Sequence, residues 1–185
     1  IIVVNDGSSD DTAEIAKRLG AVVYKHPFVD FATARNVGLA KASGEWIFYI
    51  DSDERVSPEL RESILEIVDS GQARMTNDSA YRIQRKNFYL GNHEWPAIEK
   101  LERLFKKSAL ETWQGELHES AVVKGQIGEL EGFLLHFTHQ DLTSMVNKTI
   151  QWSKIEAELR FKADHPQMSW WRFYRVMLTA FLYSY

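Results

Sequence analysis

Cysteine is absent from the 185 residues. Its absence excludes disulfides, thiolate nucleophiles and cysteine-based zinc centres, and it is compatible with a reducing cytoplasm. Positive charge is also scarce, with 22 Lys and Arg against 26 Asp and Glu and a net charge of −4. Without a Lys/Arg-rich tract or an RNA-binding aromatic motif, no nucleic-acid partner is expected. No stretch offers the clean run of about 20 apolar residues that a membrane-spanning helix needs. Internal repeats, low-complexity segments and a signal-peptide pattern are likewise missing. What remains is 44% hydrophobic and 12% aromatic, a composition that builds one folded domain with a substantial core.

The densest local signal is Trp46-Ile47-Phe48-Tyr49-Ile50 followed by Asp51-Ser52-Asp53-Glu54. Five apolar or aromatic residues rich in β-formers predict a strand buried on both faces, closed by two carboxylates one residue apart. In an open α/β sheet, ligands bind at the carboxyl ends of strands, and closely spaced carboxylates supply the oxygen donors that Mg2+ or Mn2+ prefers. A polar turn of no functional meaning would read the same way in isolation.

The flanking sequence alternates strand and helix patterns. Residues 1–4, Ile-Ile-Val-Val, predict a strand, and Asn5-Asp6-Gly7-Ser8-Ser9-Asp10-Asp11-Thr12 a turn into a helix, with Ser9 or Asp10 as its cap and Gly20 as its stop. A short strand at 21–24, a helix over about 31–42 and, after Ser57-Pro58, a helix carrying Leu60, Ile64, Leu65, Ile67 and Val68 complete the pattern. Such alternation implies parallel strands with helices on the sheet faces. From about Ala80 to Glu131 the pattern changes to extended stretches with Gly91-Asn92 as a turn, as antiparallel strands would give.

Three motifs in order, Ile2 to Thr12, Ala34-Arg35-Asn36-Val37-Gly38, and Gly44-Glu45-Trp46 running into Asp51-Ser52-Asp53-Glu54, resemble the family 2 inverting glycosyltransferases of GT-A fold. Within them the chain is most similar to the bacterial lipopolysaccharide-core and cell-envelope glucosyltransferase group. The resemblance covers roughly residues 1–140. It implies an α/β GT-A domain with a mixed sheet flanked by helices, and a helical extension over 141–185. It further implies transfer of a hexose, glucose by the nearest resemblance, from a nucleotide-diphosphate sugar such as UDP-glucose to a glycan or lipid-linked acceptor. Asp6 and Arg35 are then base and ribose contacts, Asp51 a ribose or metal-water contact, and Asp53 the ligand of Mg2+ or Mn2+. Carboxylates suit a hard cation that offsets charge on a departing diphosphate. In that family a first strand and helix with a Pro-x-x-Asn-Glu-like element precede the equivalent of residues 1–4. These 185 residues alone are therefore expected to bind donor weakly, and a sheet edge is expected near residues 1–4.

An inverting displacement also needs a base for the acceptor hydroxyl. Trp113-Gln114-Gly115-Glu116-Leu117-His118-Glu119 resembles the Gly-x-x-His-Glu element of the same group and makes Glu119 the general base, with His118 and Glu116 as substitutes. His136 is a weaker metal or diphosphate candidate. His139, three residues on, would face the other side of a strand. Trp95 and Trp113 are candidates for stacking on sugar rings, against the simpler reading of core aromatics.

The last third predicts an amphipathic helix from about Leu142 to Lys162, a break at His165-Pro166 and a second helix crowded with Trp170, Trp171, Phe173, Tyr174, Met177, Phe181 and Leu182 beside Arg172 and Arg175. Aromatics with arginines suit a headgroup boundary, so residues 169–185 are read as a membrane-surface segment, with a core or dimer helix as the alternative. The expected location is the cytoplasm, peripheral on the inner face of the cytoplasmic membrane. Two rival classes share parts of the pattern. A haloacid-dehalogenase-type phosphohydrolase also sets D-x-D after a buried strand, with its first Asp as nucleophile, but Glu54-Arg55 does not fit its usual continuation. A non-catalytic, truncated binding module is the other.

Overall fold

The computed structural model describes residues 1–27, 29–69, 77–115 and 119–184. They form two compact units, 1–145 and 146–185. The first unit opens with β1 (Ile2–Asn5), α1 (Thr12–Arg18) and β2 (Val22–Lys25), and β1 and β2 pair in parallel as a two-stranded sheet. Helix α1 ends where Gly20 turns with φ +87, as its sequence predicts. Its N-cap is Asp11, one residue past the expected Ser9 or Asp10, and Asp11 makes no side-chain cap; Asp10 instead accepts the Thr12 N–H at 3.1 Å.

Helix α2 (Phe31–Lys41) is capped by Asp30, whose carboxylate accepts the Thr33 N–H at 2.6 Å. It leads to β3 (Trp46–Phe48), β4 (Glu54–Val56), α3 (Pro58–Asp69), β5 (Asp78–Tyr89), β6 (His93–Glu94) and β7 (Glu99–Lys106). The hairpin β8 (Leu110–Gln114) and β9 (Ser120–Val123), then β10 (Gln126–Phe137), complete the strands. A six-stranded mixed sheet runs β3-β7-β5-β10-β4, with β6 added to β5, and only its β5–β10 pairing is parallel. Alternation of side chains splits the core between the two faces. On one face Leu60 and Ile67 of α3 pack with Tyr81, Ile83, Leu104, Leu130 and Leu134. On the other, Ala32 of α2 packs with Ala80, Phe105, Leu110 and Trp113. Gly132 sits with φ +91 directly against the Leu60 backbone, where any Cβ would collide, so the α3 start lies close upon β10.

The expected strand through Ile50, buried on both faces, is corrected. Strand β3 stops at Phe48, is half-buried and, among the described residues, pairs on one side only, with β7. The ladder continues for one further bond, Tyr49 N–H to the Arg103 carbonyl at 2.9 Å, before the chain turns at Asp51.

The second unit contains most of α4 (Leu142–Lys162) and all of α5 (Trp170–Ser184), whose bounds follow the sequence periodicity. On α5, Trp170, Trp171, Tyr174, Met177, Leu178, Phe181 and Leu182 are all exposed. Among the described residues no helix is long and apolar enough to cross a membrane.

Candidate functional site

The site grows from a turn. Glu54 N–H donates to the Asp51 carbonyl at 3.0 Å, and the Glu54 side chain reaches back so that Oε2 accepts the Asp51 N–H at 2.9 Å. The four residues Asp51-Ser52-Asp53-Glu54 are thereby closed at both ends. They send their two aspartates to different neighbours.

Asp51 meets arginines. Arg103 Nη2 lies 2.8 Å from its Oδ2, and Arg35 Nη2 lies 3.0 Å from its Oδ1. Burial works against a charged Asp51, yet Arg103 and then Arg35 outweigh it and hold the carboxyl below the usual range. Arg35 also donates through Nε at 3.0 Å and Nη2 at 2.9 Å to Glu119 Oε1, joining positions 84 residues apart. Both bonds end on one oxygen; among the described residues no hydrogen bond reaches Glu119 Oε2. Arg35 is held from beneath by Trp113, whose ring lies 4.9 Å from the guanidinium carbon. The neighbouring Asn36 explains why the hairpin stays there: its amide donates to the Trp113 carbonyl and accepts the Trp113 N–H, each at 2.8 Å. The Ala34–Gly38 motif thus supplies a charge, a backbone clamp and, at Gly38, a surface that meets both Val4 and Tyr49.

Asp53 meets an imidazole. Strand β10 pairs with β4 so that His136 stands opposite Glu54, and with β5 so that it stands opposite Asn87. His136 Nε2 is 3.2 Å from Asp53 Oδ2 and its Nδ1 is 2.7 Å from Asn87 Oδ1. A carboxylate oxygen and a ring nitrogen this close form a two-donor set. Among the described residues no three His, Asp or Glu side chains converge as an all-protein cage. The pair still fits Mg2+ or Mn2+, because such ions are commonly held by one or two protein groups with substrate phosphates and water filling the shell. Asp53 and His136 would hold the cation, and Asp51 is turned to the arginines.

Asp6 lies at the carboxyl end of β1, exposed, beside Asn5, whose Oδ1 accepts the Gly7 and Ser8 N–H groups at 3.0 and 2.9 Å. Among the described residues no hydrogen bond or ion pair ties Asp6 to either aspartate cluster. Glu116 and His118 lie outside the described residues. His139 has left the strand with φ 51, and its carbonyl accepts the Leu90 N–H. The two tryptophans part company. Trp113 is 5% exposed, a core residue under Arg35, which removes it from any sugar contact. Trp95 is 52% exposed, edge-on to Tyr89 at 5.6 Å, and its backbone N–H donates to the Asn87 carbonyl at 2.8 Å.

Two residues of the cluster escape a motif-based reading: Arg103, 4% exposed, and Glu54, 2% exposed. Glu54 Oε1 accepts from Arg103 Nη2 at 3.3 Å and Arg85 Nη1 at 3.2 Å, and Arg85 continues to Glu99 at 2.5 Å. Burial opposes the charge on both Arg85 and Glu99, but their mutual pairing wins, raising the arginine and lowering the glutamate. Arg103 gives no clean alternation signal, because the β5–β7 register slips between the Tyr81–Leu104 and Arg82–Glu102 pairs and leaves Arg103 as the extra residue of a bulge.

An acid turn, an arginine joining it to a distant glutamate and a carboxylate–imidazole pair beside it make up one candidate site. Residues 1–125 match the family model for glycosyl transferase family 2, and the chain belongs to that family. It is 30% identical over 171 residues to an uncharacterized glycosyltransferase of Rickettsia prowazekii, covering 85% of this chain and 58% of that protein. It is 29% identical to one of Rickettsia typhi, covering 92% and 65%. To the lipopolysaccharide core biosynthesis glycosyltransferase LpsC of Rhizobium meliloti it is 25% identical, covering 99% and 68%. The chain thus spans about three-fifths of the length of the first two relatives. Family membership removes the phosphohydrolase reading, and Asp51, clasped by two arginines, is no free nucleophile.

Proposed function

We propose that the intact protein transfers a hexose, with glucose as the first choice, from a nucleotide-diphosphate donor such as UDP-glucose to a glycan or lipid-linked acceptor with inversion. The observation that carries this reading is the convergence of Arg35, Asp51 and Glu119 from three separate segments. Glu119 Oε2 takes the proton of the acceptor hydroxyl as that oxygen bonds to the anomeric carbon. The bond from that carbon to the diphosphate breaks on the opposite face, and its electron pair leaves with the nucleotide. Arg35 holds Glu119 by its other oxygen, so the base keeps one orientation. Arg35 and Asp51 engage the ribose and base side of the donor, with Asp6 at the neighbouring strand end. Asp53 and His136 would hold Mg2+ or Mn2+, which would offset the diphosphate charge as a Lewis acid.

The name of the Rhizobium relative supports an acceptor in lipopolysaccharide core assembly, hence a role in cell-envelope biogenesis at the cytoplasmic side of the membrane. Trp95, exposed and one ladder step from Asn87, is suited to stack on an acceptor sugar. The aromatic surface of α5, with Arg172 and Arg175, is suited to a headgroup layer. The test is product formation by the intact protein from UDP-glucose, lipopolysaccharide-core acceptor and Mn2+, with the anomeric configuration read by NMR. A retained configuration, or donor turnover across a full nucleotide-sugar panel at background level, would reject it. Flotation with anionic vesicles tests the α5 assignment separately; protein left at the bottom of the gradient counts against it.

A further inference from the structure

We propose that Glu54 and Arg103 are positioning residues that preset the acid turn for its ligands, an inference resting on the donor reading above. Glu54 meets both the backbone of Asp51 and one of the two arginines that hold its side chain. One carboxylate oxygen accepts the Asp51 backbone N–H, and the other receives both Arg103 and Arg85. Arg103 Nη2 then bridges from Glu54 to Asp51 Oδ2. Backbone and side chain of Asp51 are thus tied to the same buried carboxylate, one directly and one through a guanidinium.

The arrangement has little slack. Glu54 is the first residue of β4, opposite His136 of β10, while Arg103 comes from β7 on the far side of β5. A charge at Glu54 therefore registers three strands against one turn, and the same turn carries Asp53 toward His136. Groups buried to this degree are costly to leave unpaired, so the cluster favours one arrangement over loosened alternatives. An isosteric amide at position 54 can still accept the Asp51 N–H, but it turns a neutral amide toward two arginines. A lysine at 103 keeps the charge, but its flexible stem no longer fixes a nitrogen between Glu54 and Asp51 as the planar guanidinium fixes Nη2.

The experiment is calorimetric titration of UDP with Mn2+ into the intact protein and its Glu54→Gln, Arg103→Lys and Leu60→Ala variants, each with a thermal melt. Loss of Leu60 removes core packing away from the turn. Leu60→Ala is expected to lower Tm while leaving the UDP Kd within about twofold. Glu54→Gln and Arg103→Lys are expected to raise the UDP Kd by about tenfold or more, beyond what their melts account for. If Glu54→Gln does not fold, Arg103→Lys decides. A folded Arg103→Lys with parental Kd overturns the positioning role while the donor reading stands. A parent protein that binds neither UDP nor any other nucleotide diphosphate brings down the donor reading and this inference together.

Discussion

Asp51 and Asp53 lie one residue apart on the same turn and live in opposite surroundings. Asp51 is gripped by Arg35 and Arg103, and Asp53 is beside an imidazole that it reaches at 3.2 Å. A D-x-D spacing read from sequence suggests a matched pair on one cation. The fold instead makes one carboxylate an anchor for arginines and leaves the other next to a nitrogen donor. Two acids can share a motif and divide the work, because the turn aims them at different strands.

That division predicts different failures on the two sides. The largest is expected at the end of the Asp51 side. Glu119→Gln should lower kcat by about a thousandfold. Donor affinity should be nearly unchanged, since Asp51 and Arg103 remain; single-turnover assays with titration of UDP-sugar measure both. Loss of donor affinity in parallel with kcat would place Glu119 in donor binding and erase the contrast. On the other side, Asp53→Asn or chelation of divalent metal should weaken donor diphosphate binding by about tenfold to a hundredfold, and excess Mn2+ should restore the variant in part. Asp51→Asn should not be rescued by metal, and rescue there would mean that both acids do serve one ion.

A smaller effect concerns pH. The Asp51 carboxyl is held below its ordinary value of 3.8 in the folded protein, burial opposing and Arg103 and Arg35 prevailing. A group with a depressed folded pKa contributes stability that is whole above the unfolded value and is lost as pH falls through the folded one. The stability difference between the parent and Asp51→Asn, about 1 kcal/mol for a pair partly open to solvent, should be flat from neutrality to about pH 4 and shrink below it. Urea denaturation midpoints across that range measure it. A difference that grows on acidification would contradict the arginine clasp.

The sequence carried the helices well, because periodic apolar residues, Ser57-Pro58 and Gly20 act locally. Motif order also singled out Asp51, Asp53, Arg35 and Glu119, and the fold brings Arg35, Asp51 and Glu119 into contact. What the sequence did not carry is pairing. Strand β3 reads as a fully buried run from Trp46 to Ile50, but its half-buried state depends on having one neighbour, β7, which no local pattern encodes. The Arg103–Glu54 bond is invisible for the same reason, since its partners meet only through the β7-β5-β10-β4 order. His136 reached Asp53 by strand register, whereas Trp113 was hidden by the clamp of Asn36.

The tryptophans provide the smallest test. Both are equally plausible as sugar platforms in the sequence, yet one is buried beneath Arg35 and the other open beside Tyr89. An exposed indole braced edge-on can meet the C–H face of a pyranose with little ordering cost, and it gains on the order of 1 kcal/mol. Trp95→Ala should therefore raise acceptor KM by about fivefold with donor KM and melting temperature unchanged. Trp113→Ala, by contrast, should lower Tm first, because it opens a core cavity and withdraws the support under Arg35. Should Trp95→Ala shift donor rather than acceptor KM, the β5–β6 hairpin belongs with the Asp53 side of the site, and the acceptor must be held elsewhere.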